Sequence, residues 1–584
     1  MKKQKMGSSY IHRLLTSFSL VEASLKQDQD LVSKLKRICD YGIEMSSFVQ
    51  EYDFREVEGN GFRVSIEYII RLLKYGHVHY TGMADENYKT MVDLFVAAIP
   101  YFRKLREKTK HSMSLIDPTV EIMSEAFKEY FDKNGMDAGF GPLTGYYFDY
   151  PENKVCYLAY FAISLITPGS LAGSIRAFFD KEFSRACIRR EYNNMTVEHL
   201  KWIDFLADNF YVRRIAPVLT FGYLRPNIRK EVFIPRQERY KILCDIENQT
   251  CHLVQHSSDM TSSDRLRCRI QYDTAKEPDG TIVMHAHGGG FIMGSADNHE
   301  SYNRSWAIAM PGVAFFSVDY DLSPEVQFPG MVQQILDAYL FLHTREAKSV
   351  IGYQPRRILL AGDSSGGLLI TALTCILNDL RKTFACHDDF SMPIAIVAIY
   401  PSFTCAPFTT PSMLLSGIHT ELSFPAFLTM ISAYVPFMDQ NLNNVMRKGY
   451  AHDSSSRLSF LWEWLTGQAV LQEKRTDVWW NQSPESTMKR MSEWKLIRHP
   501  YVSPLLYDDF DSITEVKLSV FACASDPILD QSVEICKKWR GEVSLHVWEG
   551  VIHAFLTAVS FGGKYVEYNN QIIDELKRLA KYQN

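Results

Sequence analysis

Four short stretches carry residue types suited to acyl transfer. The first is Gly362-Asp363-Ser364-Ser365-Gly366, between the apolar run Ile358–Ala361 and a helical pattern from Leu368. A strand that turns tightly into a helix forces unusual backbone angles on the middle serine and presents its hydroxyl at the helix N-terminus. Ser364 is therefore the candidate nucleophile. The second stretch is His287-Gly288-Gly289-Gly290, directly after Thr281–Ala286. Consecutive glycines let backbone N–H groups converge on one point, as a tetrahedral oxyanion requires. The expected donors are the N–H groups of Gly289, Gly290 and Ser365. A phosphate-cradling loop is the other reading, but no Lys-Ser/Thr pair follows the glycines. His287 and Gly288 are expected to support the loop. His287 precedes the nucleophile and is not assigned as a base.

A serine hydroxyl is a weak nucleophile until a base takes its proton. For a serine in this turn, the acid and then the histidine follow later in the chain. Asp526 comes just after the strand-like Val520–Cys523. His553 comes in a loop after the strand-like Leu545–Trp548. Of the 17 histidines, His553 combines the right order with a position past a strand end. His546 is the rival base but falls inside the expected strand, and Asp530 is the rival acid. In this arrangement Asp526 orients the imidazole and His553 takes the serine proton.

These residues need a scaffold that holds strand ends side by side. Leu266–Tyr272, Thr281–Ala286, Val313–Val318, Ile358–Ala361, Ile394–Tyr400, Leu518–Cys523 and Leu545–Trp548 read as strands. Ile335–His343 and Leu368–Asn378 read as helices between them. Strands alternating with helices predict a mostly parallel sheet covered on both faces. Upstream, Phe62, Ile66, Ile69, Ile70 and Leu73 repeat at helical spacing, as do Val92, Phe95, Val96 and Ile99, where Pro100 is expected to disturb the helix. Leu200, Ile203, Leu206, Ala207 and Phe210 predict a further helix. The segment between the two halves of the strand pattern breaks the rhythm and holds Trp462, Trp464, Trp479, Trp480 and Trp494. The expected organisation is an N-terminal helical domain (1–240), a catalytic domain in two parts (241–439 and 499–584), and an inserted lid-like or regulatory segment (440–498). Leu414, Leu415, Phe424, Phe427, Leu428, Met430 and Ile431 could cap an acyl pocket or simply pack as helices.

The whole chain agrees with a globular enzyme. It has 584 residues, 46% hydrophobic and 22% charged, which argues against a disordered or fibrous protein. Sixty-three basic and 68 acidic residues leave a net charge of −5, against a dedicated nucleic-acid binder. Eleven cysteines, none in a CxxC, suggest reduced thiols rather than a disulfide framework or zinc ribbon. No apolar run is long enough to span a bilayer, and the basic start lacks a signal-peptide core. The expected setting is cytoplasmic.

HGGGF, DYDLSPEVQFP (319–329), GDSSGG, ASDPILD and IHAF together resemble the hormone-sensitive lipase family of α/β hydrolases. The long helical N-terminal region, the stretch His499–Leu506 and the insert resemble its eukaryotic members. The resemblance implies an α/β-hydrolase fold, hydrolysis of acylglycerols and of cholesteryl and related esters, no metal or cofactor, association with lipid droplets and regulation by phosphorylation. A homodimer is a further expectation. Ser365 departs from the alanine usual in the family, but its N–H is unchanged. The insert looks shorter and diverged. Within it Lys489-Arg-Met-Ser492 fits a cAMP-dependent kinase site, and Arg457-Leu-Ser459 is a weaker candidate. The competing readings are a carboxylesterase for small soluble esters and a non-catalytic ligand-binding protein on the same fold.

Overall fold

The computed structural model describes residues 2–134, 175–176, 228–237, 239–256, 261–416, 422, 424–436, 484–551, 553–561 and 563–582. The expected helix over 200–210, Ser459 and four of the five tryptophans of the insert lie outside these residues.

Five helices begin the chain: α1 (Lys2–Ser24), α2 (Gln29–Ser46), α3 (Gly61–His79), α4 (Glu86–Thr109) and α5 (Glu121–Asn134). Their starts are capped by side chains. Asp28 accepts from Leu31 N, Asn60 from Arg63 N and Asp85 from Tyr88 N, each satisfying an N–H the helix leaves open. The apolar stripe of α3 is buried as its spacing predicts. Helix α4 differs from expectation and runs straight through Pro100. Pro100 faces outward, whereas Tyr88, Val92, Phe95, Ile99 and Phe102 are buried on the inner face. An interior proline costs about 3 kcal/mol. Burial of five large side chains at about 1.5–3 kcal/mol each outweighs it.

The rest of the chain builds one eight-stranded sheet in the order β1-β4-β6-β5-β7-β8-β9-β10. The strands are β1 (Ile228–Gln237), β4 (Thr261–Tyr272), β5 (Thr281–Ala286), β6 (Ala314–Val318), β7 (Arg357–Asp363), β8 (Ala395–Ile399), β9 (Lys517–Cys523) and β10 (Val543–Trp548). From β6 to β10 all neighbours are parallel, while β1–β4 and β4–β6 are antiparallel. A separate hairpin pairs β2 (Tyr240–Asp245) with β3 (Thr250–Gln255). Strands β5, β6 and β8 are buried throughout, as parallel strands covered on both faces must be. Alternate residues serve the two faces. Ile282, Met284, Leu360 and Ile396 join a core with α7 (Gly330–Phe341) and α9 (Ser365–Phe384). Val283, Phe315, Leu359 and Val397 join a second core with Trp306 of α6 (Glu300–Ala309) and Ile572 and Leu576 of α14 (Lys564–Ala580).

The expected boundary at 240 does not follow the sheet. Strand β1 lies inside the segment assigned to the helical domain, yet it forms the sheet's edge against β4. Its charged Arg229, Lys230 and Glu231 hid it, because an edge strand with one exposed face carries little apolar signal. The helices also join the catalytic part at several points. α13 (Leu529–Lys538) presents two carboxylates one helical turn apart. Asp530 accepts from Gly61 N (2.7 Å) and Ser412 N (2.7 Å), and Glu534 accepts from Leu115 N (3.0 Å). Asp117 and Thr409 exchange a pair of backbone hydrogen bonds.

Candidate active site

Ser364 stands between β7 and α9 with φ 52° and ψ −120°. A non-glycine residue adopts such angles only when its surroundings impose them. Here Ser364 N donates to Ile399 O of β8, and its carbonyl accepts from Gly367 N and Ser402 N. The turn is also crowded. A Cβ on Gly366 would lie 2.1 Å from Ala286 O at the end of β5, so only glycine fits. The result is a hydroxyl held at the start of a 20-residue helix.

Asp526 and His553 meet that hydroxyl from the ends of β9 and β10. Ser364 Oγ lies 2.8 Å from His553 Nε2, and His553 Nδ1 lies 2.6 Å from Asp526 Oδ2. Asp526 is 1% exposed, and its other oxygen accepts from Ile528 N. Burial opposes the charging of His553. The Asp526 charge and its hydrogen bond outweigh burial, so the imidazole titrates above its ordinary value. The rivals lie elsewhere. His546 is in β10, stacked on Phe521, and Asp530 is committed to backbone N–H groups of α3 and of α10 (Pro411–Ser416).

The glycine loop crosses above the serine turn. Gly289 has φ +118° and Gly290 φ +60°. Among the described residues, the N–H groups of Gly289, Gly290 and Ser365 have no chain acceptor. They stand free at a turn that shares a hydrogen bond with the serine's own turn, since Phe291 N donates to Ser365 Oγ (3.4 Å). An alanine at 365 could not form that link. His287 is fully buried and stacks on Tyr320 at 4.0 Å. Its Nδ1–H donates to Gly288 O, and burial pushes its pKa down to about 3. It is a neutral strut of the loop. Met430 of α11 (Phe424–Tyr434) lies against Gly290, and Tyr434 stacks on Phe291 at 4.0 Å. Leu414, Leu415, Phe427, Leu428 and Ile431 are buried, so of the expected cap residues with described side chains only Met430 is half-exposed beside the loop.

Sequence reasoning missed Asp363, which lies within the serine motif itself. Its buried carboxylate accepts from Gly288 N (2.9 Å) and Tyr302 OH (2.9 Å), and Tyr400 OH lies 3.3 Å away. Burial opposes its charge. The nearby His299 and His285 outweigh burial, and the carboxyl ionises well below the usual range. Asp363 thus ties the glycine loop to the turn that carries Ser364. Its place beside Ser364 was the available signal. Tyr302 and His285 gave none, because their contacts arise only when β5, α6 and β7 come together.

Ser492 sits in the last turn of α12 (Pro484–Glu493), where its hydroxyl donates to Lys489 O. Met488 and Met491 of the same helix are buried. Among the described residues, no group of three or more His, Cys, Asp or Glu side chains could hold a metal ion, and no helix is long and apolar enough to cross a membrane.

Comparison with known proteins bears on the sheet region. The family described as alpha/beta hydrolase fold matches residues 283–459. Hormone-sensitive lipase of Mus musculus is 37% identical over 153 residues, which is 26% of this chain and 19% of that protein. The Homo sapiens counterpart is 33% identical over 168 residues, 29% of this chain and 15% of that protein. The chain therefore spans less than a fifth of the length of these two relatives. A carboxylesterase/phospholipase, LipF, of Mycobacterium tuberculosis is 30% identical over 224 residues, 36% of this chain and 51% of that protein. Among solved structures, the Pyrobaculum calidifontis esterase has a TM-score of 0.43 at 18% identity, covering 65% of this chain and 93% of that one. With the parallel sheet, the serine turn and the glycine loop in place, the sheet region of this chain has the α/β-hydrolase fold, and its sequence is similar to hormone-sensitive lipases.

Proposed function

We propose that this chain is a serine ester hydrolase acting on neutral-lipid esters, acylglycerols and cholesteryl or related esters among them. The observation that carries the proposal is the continuous relay from Ser364 Oγ through His553 to Asp526, at 2.8 and 2.6 Å, below a loop with free N–H groups. In this reading Ser364 Oγ attacks the ester carbonyl as His553 Nε2 takes its proton. The N–H groups of Gly289, Gly290 and Ser365 hold the oxyanion. His553 then returns the proton to the leaving alcohol, and water cleaves the acyl-enzyme by the same route. No step calls for a metal or cofactor. The similarity to hormone-sensitive lipases supports a lipid ester substrate. The longer match to a carboxylesterase/phospholipase supports the second reading, a carboxylesterase for small soluble esters.

The same reading takes a lipid-droplet surface, a cAMP-dependent kinase and a second copy of the chain as partners in a cytoplasmic setting. A phosphate on Ser492 would sit at the C-terminal end of α12, where the helix dipole opposes negative charge. Modification there would loosen the end of a helix packed on α5. The deciding experiment compares wild type with Ser364→Ala on a diacylglycerol emulsion and a soluble butyrate ester. Serine-dependent turnover of both supports the lipase reading. Turnover of the butyrate ester alone selects the carboxylesterase. Absence of both from folded wild-type protein rejects ester hydrolysis.

A further inference from the structure

Outside the site, the β2–β3 hairpin brings two cysteines together. Its register sets Cys244 opposite Cys251. Two hydrogen bonds fix which kind of pair this is. His256 N donates to Arg239 O, which makes the flanking 239/256 position a hydrogen-bonded pair. Ile242 N donates away from the hairpin, to Gln333 Oε1, so 242/253 is a non-hydrogen-bonded pair. Alternation then makes 244/251 non-hydrogen-bonded as well. At such pairs opposed Cα atoms lie about 4.5 Å apart and the side chains approach most closely. That spacing falls within the range of about 4.4–6.8 Å that a disulfide spans.

Position along the hairpin adds to this. Tyr240, Ile242 and Cys244 share the inward face; the first two are buried, and Cys244 and Cys251 are only half-buried near the tip. The other described cysteines are all buried. Interaction with the Cys251 side chain opposite lowers the Cys244 pKa from the ordinary thiol value, against the effect of burial. Burial instead raises Cys39, Cys268, Cys375, Cys405 and Cys536. Reactive thiolate and access for a small oxidant therefore coincide at one place among the described residues.

We propose that Cys244 and Cys251 form a reversible, peroxide-sensitive dithiol that closes into a cross-strand disulfide. The Cys244 thiolate attacks hydrogen peroxide, an S–O bond forms as the O–O bond breaks, and with one proton the second oxygen leaves as water. Cys251 sulfur then attacks the sulfenic sulfur, the S–S bond forms as the S–O bond breaks, and the sulfenic oxygen leaves as water with the Cys251 thiol proton. The two sulfurs together lose two electrons and the peroxide gains them. The bridge ties a hairpin whose tip residue Gln249 accepts a hydrogen bond from Lys495 N, in the chain just beyond Ser492. This inference is independent of the ester chemistry.

The pair falls within a single tryptic peptide, Ile242–Arg265, which makes the test direct. Folded wild-type protein is titrated with sub-equivalent hydrogen peroxide, quenched, denatured, alkylated with iodoacetamide and digested. The expected result is loss of both alkylations from that peptide before any other described cysteine reacts, with a mass lower by two hydrogens and recovery on addition of dithiothreitol. Full alkylation of the peptide at doses that oxidise another cysteine overturns the proposal. In Cys251→Ser the reaction should stop at a Cys244 sulfenic acid that dimedone captures. Failure of capture also overturns the proposed sequence of steps.

Discussion

Replacing Gly289 by alanine should abolish most turnover while leaving the fold intact, and the reason is steric. A Cβ at Gly289 would lie 1.9 Å from Met293 O and 2.6 Å from the carbonyl carbon behind it, where real contacts stay beyond 3.0 Å. The obstacle is backbone and cannot swing aside, because Met293 N is itself bonded to Gly289 O. Relief therefore requires the loop to shift by about 1 Å, and a shift of that size mis-aims a positioned group badly enough to cost about 10²-fold. Losing a single oxyanion donor costs about 10²–10³ in kcat, or about 3–4 kcal/mol. The control is Gly352→Ala. Gly352 has a similar φ of +107° but nothing within 4 Å of its Cβ position. It should show the backbone strain alone, about 1–3 kcal/mol of stability, with turnover unchanged. The assay is initial rates on a soluble butyrate ester, beside urea unfolding curves for both variants. Gly289→Ala with kcat within about threefold of wild type would refute the loop's role, as would an equal loss in Gly352→Ala.

Two other expectations follow from the same site and a third from the contact between α13 and α3. Asp526→Asn removes the acceptor that fixes the His553 tautomer, and kcat should fall about 10⁴-fold with little change in melting temperature; a fall below tenfold would point to another acid. Activity needs neutral His553, whose pKa is raised above 6.5, so kcat/KM should decline as pH falls through that raised value. This moves the acid limb above the position that an unperturbed imidazole would set, and a limb centred below about 6 contradicts the assignment. Asp530 is an acid whose folded pKa is raised by burial from 3.8 to about 6. Between those values the folded state binds the proton more readily than the unfolded one, so its ionised form costs stability above pH 6 and the cost vanishes as pH falls toward 4. Relative to Asp530→Asn, wild type should gain about 2 kcal/mol between pH 7 and pH 4 in denaturant titrations, and a difference independent of pH would contradict that.

Much of this was legible in the residues themselves. The parallel strands were readable because strands buried on both faces, such as Thr281–Ala286, carry unbroken apolar runs. That Ser364, Asp526 and His553 would meet was readable because strand ends and chain order confine each to a short loop. β1 was not, since its outward face is charged, and neither was the continuity of α4 through Pro100, which depends on packing partners outside the helix. Asp363 was printed inside the motif, but its role needed Tyr302, His285 and the first glycine of the loop brought within reach by three different elements. The hairpin dithiol needed register, which cysteine spacing alone does not supply.

The carboxylate of Asp530 has a consequence in time. The first N–H of α3, at Gly61, finds its acceptor 469 residues later. At about 5–20 residues per second, a ribosome needs roughly 25–95 seconds to deliver that acceptor. The helices emerge first, yet this start of α3 and the Leu115 N–H stay unsealed until α13 has been made. A nascent chain should therefore hold its N-terminal helices in a protease-sensitive, loosely docked state for most of its synthesis. That state should tighten late and in one step, when α13 and the segment bearing Asp526 arrive, shortly before His553 completes the relay to Ser364.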